Sequence, residues 1–250
     1  MDLILAAVVV VVLGTATAAA VRAKRAGEPL GAGVRGVGAA RSVGTGLAIA
    51  AAGILTTTGL MALAGVAHVD GIGFDPLLLA LGAVVFSLSG YVEELLFRVL
   101  MLGGLVRLTG RPWLALAVMA LAVGAFHLAT TAHTTALSVI SSTLGGVMYG
   151  VAFLRTGNLW LGLGVHIGWN WWQGTVLGFT VSGTDDYSGA LLHVHTSGAD
   201  WLGGGAYGPE GSVLSLVGRV VIIGLILAVT APDRPSAGTS RWSSRAAPAR

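Results

Sequence analysis

At 250 residues the chain is long enough for one large domain or two small ones. Hydrophobic residues make up 54% and charged residues 10%, against roughly 25% charged in a soluble domain, so a soluble fold is excluded and an integral membrane protein is indicated. The absence of cysteine removes disulfides, thiolate nucleophiles and cysteine-based zinc sites. The net charge of +3 is scattered between apolar runs rather than gathered on one face, which excludes a nucleic-acid partner.

Apolar stretches near the ~20 residues that a helix needs to cross the hydrocarbon run, in chain order, over Leu3–Val21, Val43–Ala67, Pro76–Val106, Trp113–Ala132, Thr135–Leu154, Leu159–Thr180 and Ser212–Thr230. The fold class expected is therefore all-α, a polytopic transmembrane helical bundle of about seven spans. The first stretch follows Met1-Asp2 without a basic residue, and its positive cluster Arg22-Ala23-Lys24-Arg25 comes after it, the order of a retained anchor rather than a cleaved signal.

Basic residues alternate from side to side. Arg22, Lys24, Arg25, Arg35 and Arg41 follow the first stretch, and Arg107, Arg111 and Arg155 lie on the same side. The connections bearing His68, Asp70 and Asp75, His133, and Asp185, Asp186, Asp200 and Glu210 have no Lys or Arg. By the positive-inside rule the amino end is outside and the carboxyl end, with Arg234, Arg241, Arg245 and Arg250, is cytoplasmic. One lysine against thirteen arginines suggests a GC-rich bacterial genome, hence a multi-pass protein of the plasma membrane whose first partner is the lipid bilayer. The expected organisation is a transmembrane hairpin with a basic cytoplasmic loop over 1–75, a core over 76–180, an irregular Gly-rich extracellular loop over 181–211, a last helix over 212–232 and a disordered basic tail over 233–250.

Within the third stretch stands Tyr91-Val92-Glu93-Glu94-Leu95-Leu96-Phe97-Arg98. Each charge near the centre of a span costs about 2.5–3.5 kcal/mol on insertion scales, so the three together cost roughly 7–10 kcal/mol unless they pair, face water or do chemistry. Glu94 and Arg98 are four apart and share a helix face, so they can form an ion pair; Glu93, about 100° round from Glu94, has no partner on its own helix. His127 falls late in the fourth stretch. In the sixth, His166, Asn170 and Gln173 are spaced to form one polar stripe. Counted from the cytoplasmic ends, Glu93 lies roughly 21 Å deep from Arg107, His127 roughly 22 Å from Pro112 and Asn170 roughly 19 Å from Gly157, with His166 one turn nearer the cytoplasm. These side chains are expected at one level of the bundle. The second buried cation, Arg219, either snorkels outward or reaches the polar cavity.

Glu93-Glu94-x-x-x-Arg98, a His late in the next span, and His166-x-x-x-Asn170 preceded by Leu154-Arg155-Thr156-Gly157-Asn158-Leu159-Trp160 resemble the three motifs of the CPBP family, the CAAX proteases and bacteriocin-processing proteins (Abi), related to type II CAAX prenyl endopeptidases. The resemblance covers roughly residues 76–180; the family's Phe four residues before the His is Val123 here, with Phe126 adjacent. It implies an intramembrane endopeptidase acting on a peptide or membrane-protein substrate. By position, Glu93 is then the general base, helped by His127; His166 and Asn170 donate to the oxyanion; Glu94 and Arg98 position and tune the base. Two preorganised donors in a dry site are worth several kcal/mol of transition-state stabilisation. The resemblance also admits a divalent metal such as zinc on Glu93, His127 and His166, a His₂Glu set. The chain has no H-E-x-x-H pair and Asn170 is a poor zinc ligand, so the metal-free glutamate mechanism is preferred. The competing functions are a transporter or proton relay built on the polar cavity, against which no internal repeat is found, and a non-catalytic scaffold or immunity protein on the same fold. Of the loop residues, His193, His195, Asp185 and Asp186 are expected to be solvated and His68, Asp70 and His133 interfacial.

Overall fold

In the computed structural model, residues 2–25, 32–34, 36 and 38–231 are described; the tail read as disordered, with its arginines, lies outside them. The helices are α1 (Asp2–Arg25), α2 (Ala39–Leu63), α3 (Pro76–Thr109), α4 (Pro112–Thr130), α5 (Ala136–Thr156), α6 (Trp160–Asn170) and α7 (Val213–Val229). Of these, α2, α3, α4 and α5 are long and apolar enough to cross a membrane, and α7 is a shorter apolar helix. A helical membrane bundle is the architecture.

Local chemistry explains the boundaries. Asp75 accepts a hydrogen bond from the Leu78 amide at 2.9 Å, and Pro76 occupies the first helical position of α3, where its missing N–H costs nothing. Thr135 and Ser138 exchange side-chain and backbone bonds at 3.1 and 2.8 Å as a capping box that opens α5. Gly157 closes α5 in the left-handed region at φ 71°, a conformation open to glycine without steric cost. Ser212 caps α7 by accepting from the Ser215 amide at 3.1 Å.

Two helices depart from α geometry where polar residues cluster. The Glu94–Leu102 segment of α3 is a π-helix, and α6 continues into a π-helical segment over Trp171–Val176. Wider i→i+5 turns recur at functional sites. The second of them breaks the stripe read from the sequence. Gln173 is fully buried and donates to the Thr180 carbonyl at 2.7 Å, holding the chain where it leaves the helix; the stripe ends at Asn170 because 3.6-residue periodicity ends there.

The 181–211 connection is not irregular throughout, and the fold is not wholly α. Residues Leu192–Thr196 form a strand, β2, antiparallel to β1 (Ala67–Ile72), with Ala67 opposite Thr196 and Ile72 opposite Leu192. In β2 the β-branched Val194 and Thr196 alternate with His193 and His195, a short-range signal that the glycines around the strand obscure. On this sheet His195 Nδ1 lies 2.6 Å from Asp70 Oδ2, and the His68 and His195 rings stack at 5.1 Å. Both His195, expected in a solvated loop, and Asp70, expected at the interface, are exposed.

The core is packed around Met101, Leu102, Met119, Met148, Ile222 and Ile226, all fully buried. Helix α2 packs on α6 and α7, and α4 on α5. Small residues set the spacing of α2 and α6. A Cβ on Gly46 would lie 2.6 Å from the Leu161 carbonyl oxygen, and one on Gly168 would lie 2.6 Å from the Ala50 methyl, so the two backbones meet where glycine allows it. Gly46→Leu is expected to force them apart at a cost of about 1–3 kcal/mol, read as a lowered midpoint of thermal unfolding in detergent; an unchanged midpoint contradicts this packing.

Candidate active site

A cavity of about 220 Å³ opens between α3, α4, α5, α6 and α7. Glu93, Arg98, His127, His166 and Asn170 line it; Glu94 lies behind its wall, fully buried. Five of the residues singled out in the sequence thus line one cavity.

The π-helical segment begins at Glu94, so the two adjacent carboxylates enter different surroundings. Arg98 NH1 is 3.4 Å from Glu94 Oε1, and both side chains are inaccessible to solvent. His166 Nδ1 is 3.0 Å from the same Glu94 oxygen. Glu93 remains 22% exposed, with Oε2 4.0 Å from His166 Nε2 and no closer cationic partner among the described residues. One carboxylate is locked in an ion-pair network; the other is open to the cavity.

Three further contacts fix the rings. His166 stacks on Tyr149 at 4.6 Å and 12°. The Arg98 guanidinium carbon lies 4.9 Å from the centre of that Tyr149 ring. Arg98 leaves Nε, NH1 and NH2 without hydrogen-bond partners, so the Glu94 ion pair and the packing on aromatic rings together compensate for burying the charge. His127 Nδ1 donates to the Val123 carbonyl at 3.0 Å. That bond leaves Nε2 of a neutral ring as the free nitrogen, able to accept a proton. Phe126 stands edge-on to both Phe97, at 5.4 Å, and His127, at 5.7 Å, and supplies the aromatic support beside this histidine while Val123 lines the cavity.

The opposite wall carries residues that the sequence reading missed or left open. Arg219 does not snorkel. It is buried, donates from Nε to Ser141 Oγ at 2.9 Å and from NH2 to Glu210 Oε1 at 3.2 Å, and lays its guanidinium 4.5 Å from the Trp169 ring centre. Glu210, expected in a solvated loop, is buried and also accepts from Trp169 Nε1 at 2.9 Å and from the Ser182 amide and hydroxyl at 2.8 and 2.7 Å. Ser182 pays for this with a left-handed backbone at φ 48°, uncommon for a residue with a side chain. Burial alone pushes the Glu210 carboxyl up, but the Arg219 guanidinium, then Ser182 and Trp169, outweigh it and hold the group below its ordinary value. The available signal was Arg219 itself. A cation inside an apolar helix demands a carboxylate, and Glu210 is the nearest acid in sequence.

A metal on Glu93, His127 and His166 requires all three to turn donor atoms to one point. Among the described residues no three His, Asp or Glu side chains form such a group, although the Nδ1 contacts of His166 with Glu94 and of His127 with the Val123 carbonyl leave both Nε2 atoms free.

No curated protein and no solved structure matches the chain. Residues 74–172 match the family described as "Type II CAAX prenyl endopeptidase Rce1-like". That segment contains every motif residue from Glu93 to Asn170, and it supports a membrane-embedded protease of the CAAX type. The match over residues 74–172 supports assigning that segment to the CPBP/CAAX protease family.

Proposed function

We propose that this protein is a multi-pass plasma-membrane endopeptidase that hydrolyses peptide bonds with a water activated by Glu93. The reading takes seven crossings, with the amino end outside and the carboxyl end in the cytoplasm, from the alternation of basic residues. The observation that carries the chemistry is the division of labour between adjacent carboxylates: Glu94 bound to Arg98 and His166 in the dry interior, Glu93 free at the cavity.

The steps follow from the donors and acceptors present. Glu93 takes a proton from a water in the cavity as its oxygen attacks the scissile carbonyl carbon; His127, with Nε2 free, shares the proton load. Because Nδ1 of His166 faces a carboxylate, that nitrogen carries a hydrogen, and Nε2 donates only from the imidazolium. Nε2–H of His166 and the amide of Asn170, which makes no hydrogen bond among the described residues, then receive the negative oxygen of the tetrahedral adduct. Collapse of the adduct breaks the C–N bond, and the proton held by Glu93 passes to the leaving amine.

The test is purified protein in detergent with fluorogenic reporter peptides, with and without a chelator. Cleavage that persists in the chelator is the expected result. Cleavage abolished by the chelator and restored by zinc overturns the metal-free mechanism. No cleavage, together with Glu93-dependent solute uptake in proteoliposomes, replaces the peptidase with the transporter.

A further inference from the structure

The mechanism above uses one wall of the cavity and leaves two donors on the other unassigned. The Tyr149 ring is held between the Arg98 guanidinium and the His166 imidazole, yet its hydroxyl makes no hydrogen bond among the described residues while the residue lines the cavity. The hydroxyl is thus open to an acceptor that enters the cavity. Arg219 commits Nε to Ser141 and NH2 to Glu210 and leaves NH1 without an acceptor among the described residues. The two groups border one small residue on α5. A Cβ on Gly145 would lie 2.5 Å from Arg219 NH1 and 3.8 Å from the Tyr149 ring, so glycine at this position leaves room for the guanidinium.

We propose that the Tyr149 hydroxyl and NH1 of Arg219 form a donor pair that binds a main-chain carbonyl oxygen of the peptide substrate, at a position other than the scissile one. The inference rests on the peptidase reading and deepens it. The charge state selects the ligand. Glu210 already balances Arg219 in a buried pair, so the subsite is neutral and takes a neutral acceptor; a second carboxylate would bring an uncompensated negative charge into the interior. An extended peptide offers such carbonyls along its length, and one gripped here holds the chain across the cavity with its scissile bond toward Glu93. This is ground-state binding, and its loss appears in KM rather than in kcat.

Tyr149→Phe removes the hydroxyl and keeps the ring that stacks on His166. With wild-type and Tyr149→Phe protein in detergent, KM for a reporter peptide is expected to rise about five- to tenfold on loss of one neutral hydrogen bond, with kcat within about twofold of wild type and an unchanged unfolding midpoint. A peptide series in which each carbonyl flanking the scissile bond is reduced in turn to methylene locates the ligand. One reduced peptide is expected to lose about five- to tenfold with wild type and nothing further with Tyr149→Phe, the coupling that a direct contact produces. Wild-type kinetics in Tyr149→Phe, a fall in kcat at constant KM, or additive losses at every reduced position each overturn the subsite and leave the peptidase standing. Absence of cleavage by the wild type overturns both.

Discussion

Glu93→Gln is expected to lower kcat by about 10²–10⁴, the range that a positioned general base contributes, while leaving the fold intact. The two expectations are linked by the same geometry. Among the described residues the Glu93 carboxylate reaches no partner closer than the 4.0 Å to His166, so making it a neutral amide of the same shape removes the base without orphaning a buried donor. The neighbouring substitution should behave differently. Glu94→Gln strips the charge that Arg98 and His166 face in a fully buried position, so it is expected to lower the unfolding midpoint as well as kcat. Measuring both parameters on both variants separates the base from the residue that orders it.

Glu210→Ala is expected to destabilise the protein by about 3–5 kcal/mol, the usual result of leaving a buried charge without its partner. The loss falls on several elements at once, because this carboxylate ties Arg219 of α7, Trp169 of α6 and Ser182 of the connection between α6 and α7 together. Trp169 lies between His166 and Asn170 in sequence, so the clamp also steadies the helix that carries both donors. The sign of the pH dependence follows from the lowered carboxyl. A group held below its ordinary value contributes its stability above that value and loses it as pH falls through the folded one. Acidification from neutral pH should therefore lower the unfolding midpoint more in wild type than in Glu210→Gln, where nothing titrates at this site. Equal slopes in the two proteins contradict the assignment.

The contrast between Glu94 and Glu210 shows what the sequence could disclose. The Glu94–Arg98 pair was legible because both members sit on one helix four residues apart, a spacing that survives the widening to a π-helix. The helices of the bundle were legible as apolar runs with caps such as Asp75-Pro76 and Gly157. The Glu210–Arg219 pair joins a buried loop to a helix, and nothing periodic marks a loop residue as buried. Gln173 was misplaced for the opposite reason: helical periodicity was carried past Asn170, where the backbone leaves it. Tyr149 gave no signal because an aromatic residue in an apolar helix reads as packing; only the cavity beside its unpaired hydroxyl distinguishes it. The β1–β2 sheet was hidden because its strands are more than a hundred residues apart and bordered by glycine.

The central claim is that the Glu93 carboxylate activates water against a peptide bond, and mass analysis of reporter-peptide products formed in oxygen-18 water tests it most directly. Purified wild-type protein is predicted to yield products with heavy oxygen in the newly formed carboxylate, and Glu93→Gln under the same conditions to leave the peptide essentially intact. Labelled product from Glu93→Gln at the wild-type rate contradicts the account.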